Sequence, residues 1–521
     1  MKKPTGNASR SARVARDKIK PIETLGEIAR QVRAEGKTVV LCHGVFDLVH
    51  MGHVRHLEAA RREGDVLMVT LTANRHVHKG PGRPIFPAEL RAEMIAALEY
   101  VDWVGINDSP TSELVLRTLC PNVYVKGSDY ENPDDDITGG IVSEREAVEQ
   151  QGGRIIFTKD VTFSSSSLIN RYLHVYDRPL QDYLESMRET DAAQRILDLI
   201  ERVRDFRVLV VGDAIIDQYD YVDPMGKSAK ENIIATRFRD RESFAGGVFA
   251  TANNVANLCA EVEIITCLGG EDSHEDLIRA SLKPNVKLSH VVRPDAPTTR
   301  KLRYVSPSYI RKLFEIYYFN DTPLPKDVEK KLNDLILARI DHFDLVIAND
   351  FGHGLIGPST VDLLKKGAKF LAVNTQTNSA NLGYNLITKY KNPDFACIDA
   401  PEAQMAARDR FSSIETLTAE ILPDLVGCDK FIVTHGREGC VTYDRRRGVS
   451  TIPAFTKTVI DTVGAGDAFL AATAPLVAAG GSIEDAGFVG NAAGAIKVGI
   501  VGHRSSLEKI PLLRFIATLL K

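Results

Sequence analysis

The sequence lacks the features that mark an extracellular, zinc-binding or membrane-spanning protein. Its seven cysteines are an odd number and no two are spaced as Cys-x-x-Cys, which argues against a disulfide framework and a zinc site. The longest apolar stretch, Ala468–Ala479, is too short to cross a bilayer. A net charge of −4 gives no reason to expect nucleic acid or a membrane as a partner. We therefore expect a cytoplasmic protein without such partners.

The apolar content is that of an ordinary globular protein. Hydrophobic residues make up 44% and charged residues 26% of the 521 residues, which is enough to build complete cores, and the length predicts roughly two to four domains. The first twenty residues differ, with seven Lys or Arg against one Asp and with Ser, Gly and Pro between them. We predict a flexible basic tail over residues 1–22.

Short apolar segments alternate with amphipathic segments along the rest of the chain, and the alternation starts twice. In the first half we predict strands over Lys37–Cys42, Asp65–Ala73, Val101–Ile106, Asn122–Lys126 and Arg154–Thr158. In the second half we predict strands over Arg207–Val211, Val262–Leu268, Phe343–Ala348, Lys369–Val373 and Phe431–Thr434. Strands that alternate with helices predict an α/β protein with two doubly wound parallel sheets. We place the two domains at residues 23–175 and 191–521, with a linker over 176–190.

The first motif with chemical content follows the first predicted strand. Residues 43–53 read His-Gly-Val-Phe-Asp-Leu-Val-His-Met-Gly-His, a glycine turn that leads into a helix. The unpaired N–H groups and the dipole of a helix N-terminus favour a phosphate, and His50 and His53 would share one face of the first turn. Such an arrangement suits stabilisation of charge during phosphate transfer. The alternative is two structural histidines beside a tight turn.

This motif resembles the signature Gly-x-Phe-Asp-x-x-His-x-Gly-His of the cytidylyltransferase-like nucleotidyltransferases. The similarity covers roughly residues 35–173, in the order found in the adenylyltransferase half of bifunctional ADP-heptose synthases. It includes Lys79-Gly80, Arg83-Pro84, the run 125–130 and the serine run 163–169. The resemblance implies a Rossmann-like nucleotidyltransferase domain that uses Mg²⁺ with its triphosphate.

Several side chains of this first domain suit a triphosphate. We predict catalytic roles for His50, His53 and Lys126. Lys126 is included because it ends a strand, where ligands of such sheets bind. The predicted nucleotide-binding residues are Gly44, Phe46, Asp47, Lys79, Arg91, Ser165 and Ser166. For Lys79 and Arg91 an ordinary surface position is the alternative. His43 stands where relatives usually have Asn or Thr, which leaves the nucleobase open.

A second motif lies near the other end of the chain, where residues 461–469 read Asp-Thr-Val-Gly-Ala-Gly-Asp-Ala-Phe. Gly464 and Gly466 allow backbone N–H groups to turn inward ahead of a helix, which forms an anion site for a phosphoryl group in transfer. Asp467 stands at the start of that helix, where it can accept a proton from an attacking sugar hydroxyl. The alternative is a glycine-rich loop with a capping Asp.

The second motif resembles that of the ribokinase-like (PfkB) sugar kinases, which implies a ribokinase-like fold and Asp467 as its catalytic base. Two alternating segments, Thr299–Val305 and Phe314–Phe319, are predicted to form the small β lid of such folds. The resemblance implies a magnesium-supporting role for Glu402. The predicted nucleotide-binding residues are Thr434, Gly436, Gly439, Thr462, Gly464, Ala465, Gly466 and Asn491. The predicted substrate-binding residues are Asp213, Asp217, Gly246, Gly247, Arg303 and Arg311.

Arg303 and Arg311 are included because they belong to a cluster of cations on or near the predicted lid. An arginine there could hold a phosphate on the sugar by paired hydrogen bonds. The alternative is that these cations protect a strand edge from aggregation.

The second half departs from heptose kinases on its sugar side. Ala250 stands where they usually have Asn, and residues 374–376 read Asn-Thr-Gln in place of Asp-Pro-Lys. His353 replaces a lysine, and only the acidic end of an Asn-x-x-Glu motif is kept, at Glu402. The order of the two domains is also the reverse of that in the familiar bifunctional enzyme.

Together the resemblances imply a bifunctional enzyme that activates a sugar for a surface polysaccharide such as lipopolysaccharide. The kinase would use ATP to phosphorylate the anomeric hydroxyl of a heptose 7-phosphate. A separate phosphatase would act next, and the transferase would then join the sugar 1-phosphate to AMP and release pyrophosphate. A homodimer is compatible with this function. One alternative is a CTP-dependent cytidylyltransferase for a polyol phosphate fused to a kinase, and another is a second half that binds sugar or nucleotide without turnover.

Overall fold

The computed structural model describes residues 15–80, 82–127, 140–158, 165–173, 175–308, 310–320 and 322–521. The chain divides into two units: unit 1 is Met1–Asp177 with Leu513–Leu519 and Lys521, and unit 2 is Arg178–Leu512 with Leu520. Most of the predicted basic tail lies outside the described residues, as do residues 128–130 and 163–164 of the first-half motifs.

Unit 1 is built on a five-stranded sheet of order β3-β2-β1-β4-β5 in which every neighbouring pair is parallel. Its strands are β1 Val39–Gly44, β2 Val66–Thr72, β3 Trp103–Asn107, β4 Val123–Gly127 and β5 Arg154–Thr158. Its helices are α1 Ile22–Ala34, α2 Met51–Arg61, α3 Ala88–Ala96, α4 Glu113–Leu119, α5 Gly140–Glu149 and α6 Ser165–Tyr172.

The central strand β1 is apolar on both faces because helices cover both sides of the sheet. Val40 and Cys42 pack in a core with residues of α2 and α3, and Val39 and Leu41 pack in a second core with residues of α1 and α4. The five strands predicted for this half are confirmed within about two residues at each end.

Unit 2 contains the remaining elements. Its helices are α7 Arg178–Glu189, α8 Ala192–Arg202, α9 Val248–Val255, α10 Glu275–Ser281, α11 Lys326–Leu337, α12 Pro358–Gly367, α13 Ala400–Ala407, α14 Ile414–Thr416, α15 Leu422–Val426, α16 Ala465–Ala478, α17 Ile483–Lys497 and the first residues of α18 Lys509–Leu519. Its strands are β6 Arg207–Gly212, β7 Ala214–Lys227, β8 Ile234–Gly247, β9 Glu261–Glu271, β10 Val286–Pro297, β11 Thr299–Ser306, β12 Arg311–Tyr318, β13 Leu345–Asp350, β14 Leu371–Thr375, β15 Phe395–Asp399, β16 Lys430–Thr434, β17 Cys440–Asp444 and β18 Gly448–Ile452.

The main sheet of unit 2 has nine strands in the order β10-β9-β6-β13-β14-β15-β16-β17-β18. It is parallel from β10 to β16, and the last two strands are antiparallel. The apolar helix α16 is buried from Asp467 to Val477. The parallel order places the carboxyl ends of β14, β15 and β16 side by side, where ligands of such sheets bind.

A smaller sheet of order β12-β11-β7-β8 forms the lid. The predicted lid pair is confirmed, since β11 and β12 are antiparallel with Tyr304 opposite Phe314. The long strands β7 and β8 were missed. Residues 214–222 of β7 are all buried and read Ala-Ile-Ile-Asp-Gln-Tyr-Asp-Tyr-Val, which shows no regular alternation of apolar and polar residues.

Residues 178–189 of the predicted linker form helix α7. Leu180, Leu184 and Met187 of this helix are buried at helical spacing, and Tyr183 stacks on Phe488. This stretch is therefore a packed part of unit 2. In the described part of the chain, no helix has the length and apolar character needed to span a membrane.

Candidate active sites

The turn after β1 and the start of α2 form the first candidate site, in unit 1. His50 is the N-cap of α2, and its Nδ1 accepts a hydrogen bond from the Gly52 N–H at 3.1 Å. The His53 Nδ1 accepts from the His50 N–H at 3.3 Å. Because each Nδ1 is an acceptor, each neutral ring carries its proton on Nε2.

Both histidines are held in the neutral form. Burial lowers the pKa of His50, and burial together with the neighbouring His50 lowers the pKa of His53 to about 3. The ring centres lie 4.1 Å apart, and the His50 Nε2 is buried without a hydrogen-bond partner among the described residues. The pair therefore offers N–H donors, not cations, to a phosphate oxygen.

Gly44 and Phe46 shape the turn that leads to these histidines. Phe46 has a positive φ of 50° and is buried. A Cβ at position 44 would lie 3.2 Å from its ring, so glycine allows the close approach. The same ring lies 5.3 Å from that of His53.

A buried ion pair joins this turn to the start of α6. The Arg83 Nε donates to Asp47 at 2.6 Å, and both side chains are inaccessible to solvent. The Arg83 Nη2 donates to the Ser166 hydroxyl at 3.0 Å, and the Ser165 hydroxyl donates to the Leu48 carbonyl at 3.2 Å. Asp47 and Arg83 thus position Ser166, while the Leu48 carbonyl holds Ser165. Arg83 is a site residue that was not among the predicted ones.

The three predicted cations of unit 1 have different surroundings. Burial and then the neighbouring Arg83 lower the pKa of Lys79 to about 8. Lys126, at the carboxyl end of β4, forms an ion pair with Glu144 at 2.7 Å.

Arg91 is fully buried and is directed at backbone carbonyls. Its guanidinium donates to the Val45 carbonyl at 2.6 Å and to the Thr72 carbonyl at 3.0 Å. This geometry favours a role in joining the ends of β1 and β2 over a contact with phosphate.

The second candidate site is a cavity of about 580 Å³ in unit 2. Thirteen of the predicted residues line it, namely Asp217, Gly247, Arg303, Glu402, Thr434, Gly436, Gly439, Thr462, Gly464, Ala465, Gly466, Asp467 and Asn491. Three predicted substrate residues, Asp213, Gly246 and Arg311, are not part of its lining.

Asp467 lies in the first turn of α16, beside the glycine loop. Gly464 is the N-cap of this helix with a φ of 78°, which suits glycine. The Gln376 Nε2 donates to Asp467 at 3.3 Å. Burial raises the pKa of Asp467, although His503 and a hydrogen bond from Asn349 act against this. A raised pKa makes the carboxylate a better proton acceptor.

Asp217 faces the same cavity and is held by the side chains of Arg303 and His503. Arg303 donates to one carboxylate oxygen, and the His503 Nε2 lies 3.3 Å from the other. Burial alone would raise the pKa of Asp217, but Arg303 and His503 lower it overall. A Cβ at Gly246 would come within 2.0 Å of this carboxylate, so Gly246 leaves the space that Asp217 occupies.

Residues 205–510 match the family model described as pfkB family carbohydrate kinase, which is more than half of the chain. The chain belongs to the pfkB family of carbohydrate kinases. Residues 41–171 match a second model, described as cytidylyltransferase-like. The predicted resemblance to both families is confirmed, and so is the prediction of an α/β enzyme with a nucleotidyltransferase-like and a carbohydrate kinase domain.

The chain is also similar to curated proteins named "Bifunctional protein HldE". It is 37% identical over 164 residues to that of Syntrophotalea carbinolica, covering 31% of this chain and 32% of the relative. It is 42% identical over 125 residues to that of Alcanivorax borkumensis, covering 24% and 25%. The match falls in the N-terminal domain region. The chain thus matches at most about a third of the length of these relatives.

Among solved structures, the chain is similar to a ribokinase from Thermotoga maritima, with 22% identity over 60% of this chain and 99% of that chain and a TM-score of 0.48. It is similar to phosphofructokinase-2 from Escherichia coli in complex with fructose-6-phosphate, with 14% identity over 61% and 100% and a TM-score of 0.48.

In the pfkB unit, Asp213 does not point into the large cavity. Its carboxylate accepts the N–H groups of Phe351 at 2.9 Å and Leu355 at 3.3 Å. Burial and then the neighbouring Asp350 raise its pKa to about 6. The geometry favours a structural role for Asp213 in holding the loop after β13, in contrast to the predicted contact with sugar.

The pfkB motif also ties the lid to the body of the unit through Asp461. Its carboxylate accepts from the Lys312 ammonium of β12 at 2.7 Å, from the Tyr219 hydroxyl of β7 at 2.7 Å and from the Gly502 N–H at 2.9 Å. Arg311, the residue before Lys312, is exposed. The two lid arginines predicted to bind substrate therefore differ, since Arg303 lines the cavity and Arg311 does not.

Glu402 of the pfkB unit is suited to help hold a cation beside bound phosphates. Its two carboxylate oxygens each accept one backbone N–H, from Thr377 at 2.8 Å and from Asp399 at 2.9 Å, which leaves further lone pairs. Burial and then Asp399 raise its pKa to about 8. In the described ranges, no group of three or more His, Cys, Asp or Glu forms a metal site. Mg²⁺ needs only one or two carboxylates when substrate phosphates complete its coordination.

Gln376 and His503 contact the two aspartates of this cavity, although neither was among the predicted site residues. Gln376 follows the carboxyl end of β14, so its position was a usable signal. His503 lies after α17 and belongs to no motif, so nothing in its sequence context indicated that it would reach Asp217.

Proposed function

We propose that the chain is a bifunctional sugar-activating enzyme with its activities in separate domains, residues 23–175 and 191–521. The observation that carries the proposal is that each unit has its own helix N-terminus beside groups suited to phosphate transfer. These groups are the neutral pair His50 and His53 at α2, and Asp467 behind the glycine loop at α16. The likeness of the N-terminal region to proteins named bifunctional supports two activities in one chain.

In the proposed kinase step, Asp467 accepts the proton of the sugar hydroxyl. The hydroxyl oxygen forms a bond to the γ-phosphorus of ATP while the bond from that phosphorus to the β–γ bridging oxygen breaks, and ADP leaves. The backbone N–H groups around Gly464 to Gly466 stabilise the charge on the phosphoryl group. Gln376, hydrogen-bonded to Asp467, orients the carboxylate.

In the proposed transferase step, a phosphate oxygen of a sugar 1-phosphate attacks the α-phosphorus of ATP and pyrophosphate leaves. The Nε2–H groups of His50 and His53 donate to the phosphate oxygens, and because the rings are neutral they need no proton exchange to do so. Lys79 and Lys126 supply positive charge, while Ser165 and Ser166 hydrogen-bond the triphosphate.

We infer that the sugar is a heptose 7-phosphate, since the first half resembles ADP-heptose synthases and Arg303 in the cavity can bind a second phosphate. The kinase leaves two phosphates on the sugar, so a separate phosphatase must remove one before nucleotidyl transfer. Mg²⁺, when bound with ATP, would neutralise charge on the phosphates, with Glu402 among its supports.

The test is to follow pyrophosphate and ADP separately while the protein is incubated with each nucleoside triphosphate and a panel of sugar phosphates. His53→Ala should abolish pyrophosphate release and leave ADP formation intact, and Asp467→Asn should do the reverse. The activity that each variant keeps serves as the control that its chain is folded. Loss of both activities from either change, in a protein that still melts cooperatively, would contradict two independent sites.

One observation favours a second candidate, a pfkB unit that binds its ligand without turnover. The Asp217 carboxylate is already occupied by Arg303 and His503, so sugar hydroxyls must displace one of them. The ADP assay combined with titration calorimetry separates the two, because a binding unit gives calorimetric heat with sugar phosphate and ATP but forms no ADP.

A further inference from the structure

The last helix, α18, belongs in part to unit 1 and packs near the first candidate site. The Asn170 Nδ2 of α6 donates to the Thr518 carbonyl at 2.8 Å. A Cβ at Gly80 would lie 3.8 Å from the Phe515 ring and 3.9 Å from Leu519. Both apolar side chains are buried. The end of the chain is thus packed on the segment that carries Lys79.

Arg514 is the cation that α18 places at this site. It precedes Phe515 by one residue and Thr518 by four, so it shares a helix face with Thr518. Arg514 is exposed, so its guanidinium is accessible to a ligand. Burial is the main cause of the lowered pKa of Lys79 and of His43. The charges of Arg83, Lys521 and then Arg514 add to it for Lys79, and those of Lys126 and then Arg514 add to it for His43.

The positive charge at this place is not balanced by the protein. In the part of the chain that the structure describes, no acidic side chain forms an ion pair with Lys79 or Arg514. Asp47, the carboxylate that acts on Lys79, is already paired with Arg83. Like charges that are held together in a part-buried site repel each other, and a bound anion relieves that repulsion.

We propose that Arg514 is a substrate-binding residue of the nucleotidyltransferase site, where it and Lys79 together hold a phosphate group. This inference rests on the transferase activity proposed above. A guanidinium offers two parallel N–H donors to phosphate oxygens, and Lys79 adds a point charge. The phosphate belongs either to the nucleoside triphosphate or to the sugar phosphate. Arg514 follows the stretch 205–510 that matches the pfkB model, and it lies in the part of α18 that belongs to unit 1.

The test uses the full-length protein and titration calorimetry with ATP, inorganic pyrophosphate and a hexose 1-phosphate. The variants are Arg514→Ala, Arg514→Lys and Lys79→Ala, and the matched control is Lys509→Ala. Lys509 is a cation of the same helix whose ammonium lies 3.2 Å from Glu201 in unit 2. We expect Arg514→Ala and Lys79→Ala to weaken the same binding event, Arg514→Ala by roughly 10- to 100-fold as for a lost charged hydrogen bond. Arg514→Lys should keep part of the affinity, and Lys509→Ala all of it.

The ligand affected identifies the source of the phosphate: ATP and pyrophosphate indicate the triphosphate, and the hexose 1-phosphate alone indicates the sugar. Unchanged affinities in Arg514→Ala, with a loss in Lys79→Ala, would overturn the inference and leave the proposed function standing. If the unmutated protein releases no pyrophosphate from any nucleoside triphosphate, the proposed function fails, while the binding comparison still decides the role of Arg514. If Lys79→Ala binds every ligand as tightly as the unmutated protein does, the inference is overturned as well.

Discussion

Replacement of Arg303 by alanine is expected to destabilise the pfkB unit and to lower its activity on phosphorylated sugars. The Arg303 side chain is 11% exposed and that of Asp217 is 6% exposed, so the pair is largely shielded from water. Without the guanidinium, the His503 Nε2 at 3.3 Å is the close side-chain partner that Asp217 retains. Removing one member of a buried pair costs about 3–5 kcal/mol. Because His503 compensates in part, we expect about 3 kcal/mol.

The loss of unfolding free energy in Arg303→Ala should depend on pH in a defined direction. Arg303 and His503 together outweigh burial and lower the folded-state pKa of Asp217. A carboxyl group with a depressed folded-state pKa stabilises the protein above its unfolded pKa of about 4, and this stabilisation is lost as the pH falls further. The difference in unfolding free energy between the unmutated protein and Arg303→Ala should therefore be largest near neutral pH and should narrow below about pH 4.

The matched control is Arg311→Ala, since Arg311 is an exposed lid arginine outside the cavity lining. Urea unfolding at several pH values measures stability, and ADP formation at native conditions measures kcat/KM. For a phosphorylated sugar, Arg303→Ala should lower kcat/KM by an amount that corresponds to roughly 1.5–3 kcal/mol of lost transition-state stabilisation, as for a hydrogen bond to a charged group. The kcat/KM for neutral sugars should change little. Equal effects of both substitutions, or equal efficiency of the unmutated kinase on a sugar and its phosphate, would refute the reasoning.

Three further outcomes are expected. The transferase should have a higher kcat/KM for ATP than for CTP, because the first half follows the adenylyltransferase pattern; pyrophosphate release with both nucleotides measures this, and a ratio in favour of CTP would support the cytidylyltransferase alternative. The lowered pKa of Lys79, about 8, means that the ammonium loses its charge as the pH rises through that value. KM for the triphosphate should thus rise by roughly tenfold from about pH 7 to 9, and Lys79→Arg should remove the rise. Gly246→Ala would bring a Cβ within 2.0 Å of the Asp217 carboxylate, so ADP formation should fall at least about tenfold while pyrophosphate release is unchanged.

The motifs could be predicted from the sequence because they combine close spacing with a strand end or a helix start. His50 and His53 are three residues apart, and Gly464 and Asp467 are likewise three apart, so local geometry alone places each pair on one turn. Arg83 could have been found as well, since it lies in a segment that carried the resemblance, but only the fold shows that it joins Asp47 to Ser166.

Residues that reach a site from remote elements could not be predicted in this way. His503 is 286 positions from Asp217 and Arg514 is 435 positions from Lys79 in the 521-residue numbering. Neither lies in a periodic pattern or a motif, and no local physical rule relates positions so far apart. Their placement follows from how whole helices and strands pack, which depends on the sum of many apolar contacts.

Asp213 and Asp217 of the pfkB unit show how one missed strand changes the assignment of a site. Both were predicted to bind substrate, but only Asp217 lies inside β7. Alternate residues of a strand share a face, so Asp217 lies on the same side as Tyr219 and next to Lys301 and Arg303 of the parallel neighbour β11. Asp213 precedes β7, and its carboxylate binds backbone N–H groups instead. Exposure to the cavity thus depends on where each aspartate stands relative to β7. Asp213→Asn should lower stability more than it alters KM for the sugar.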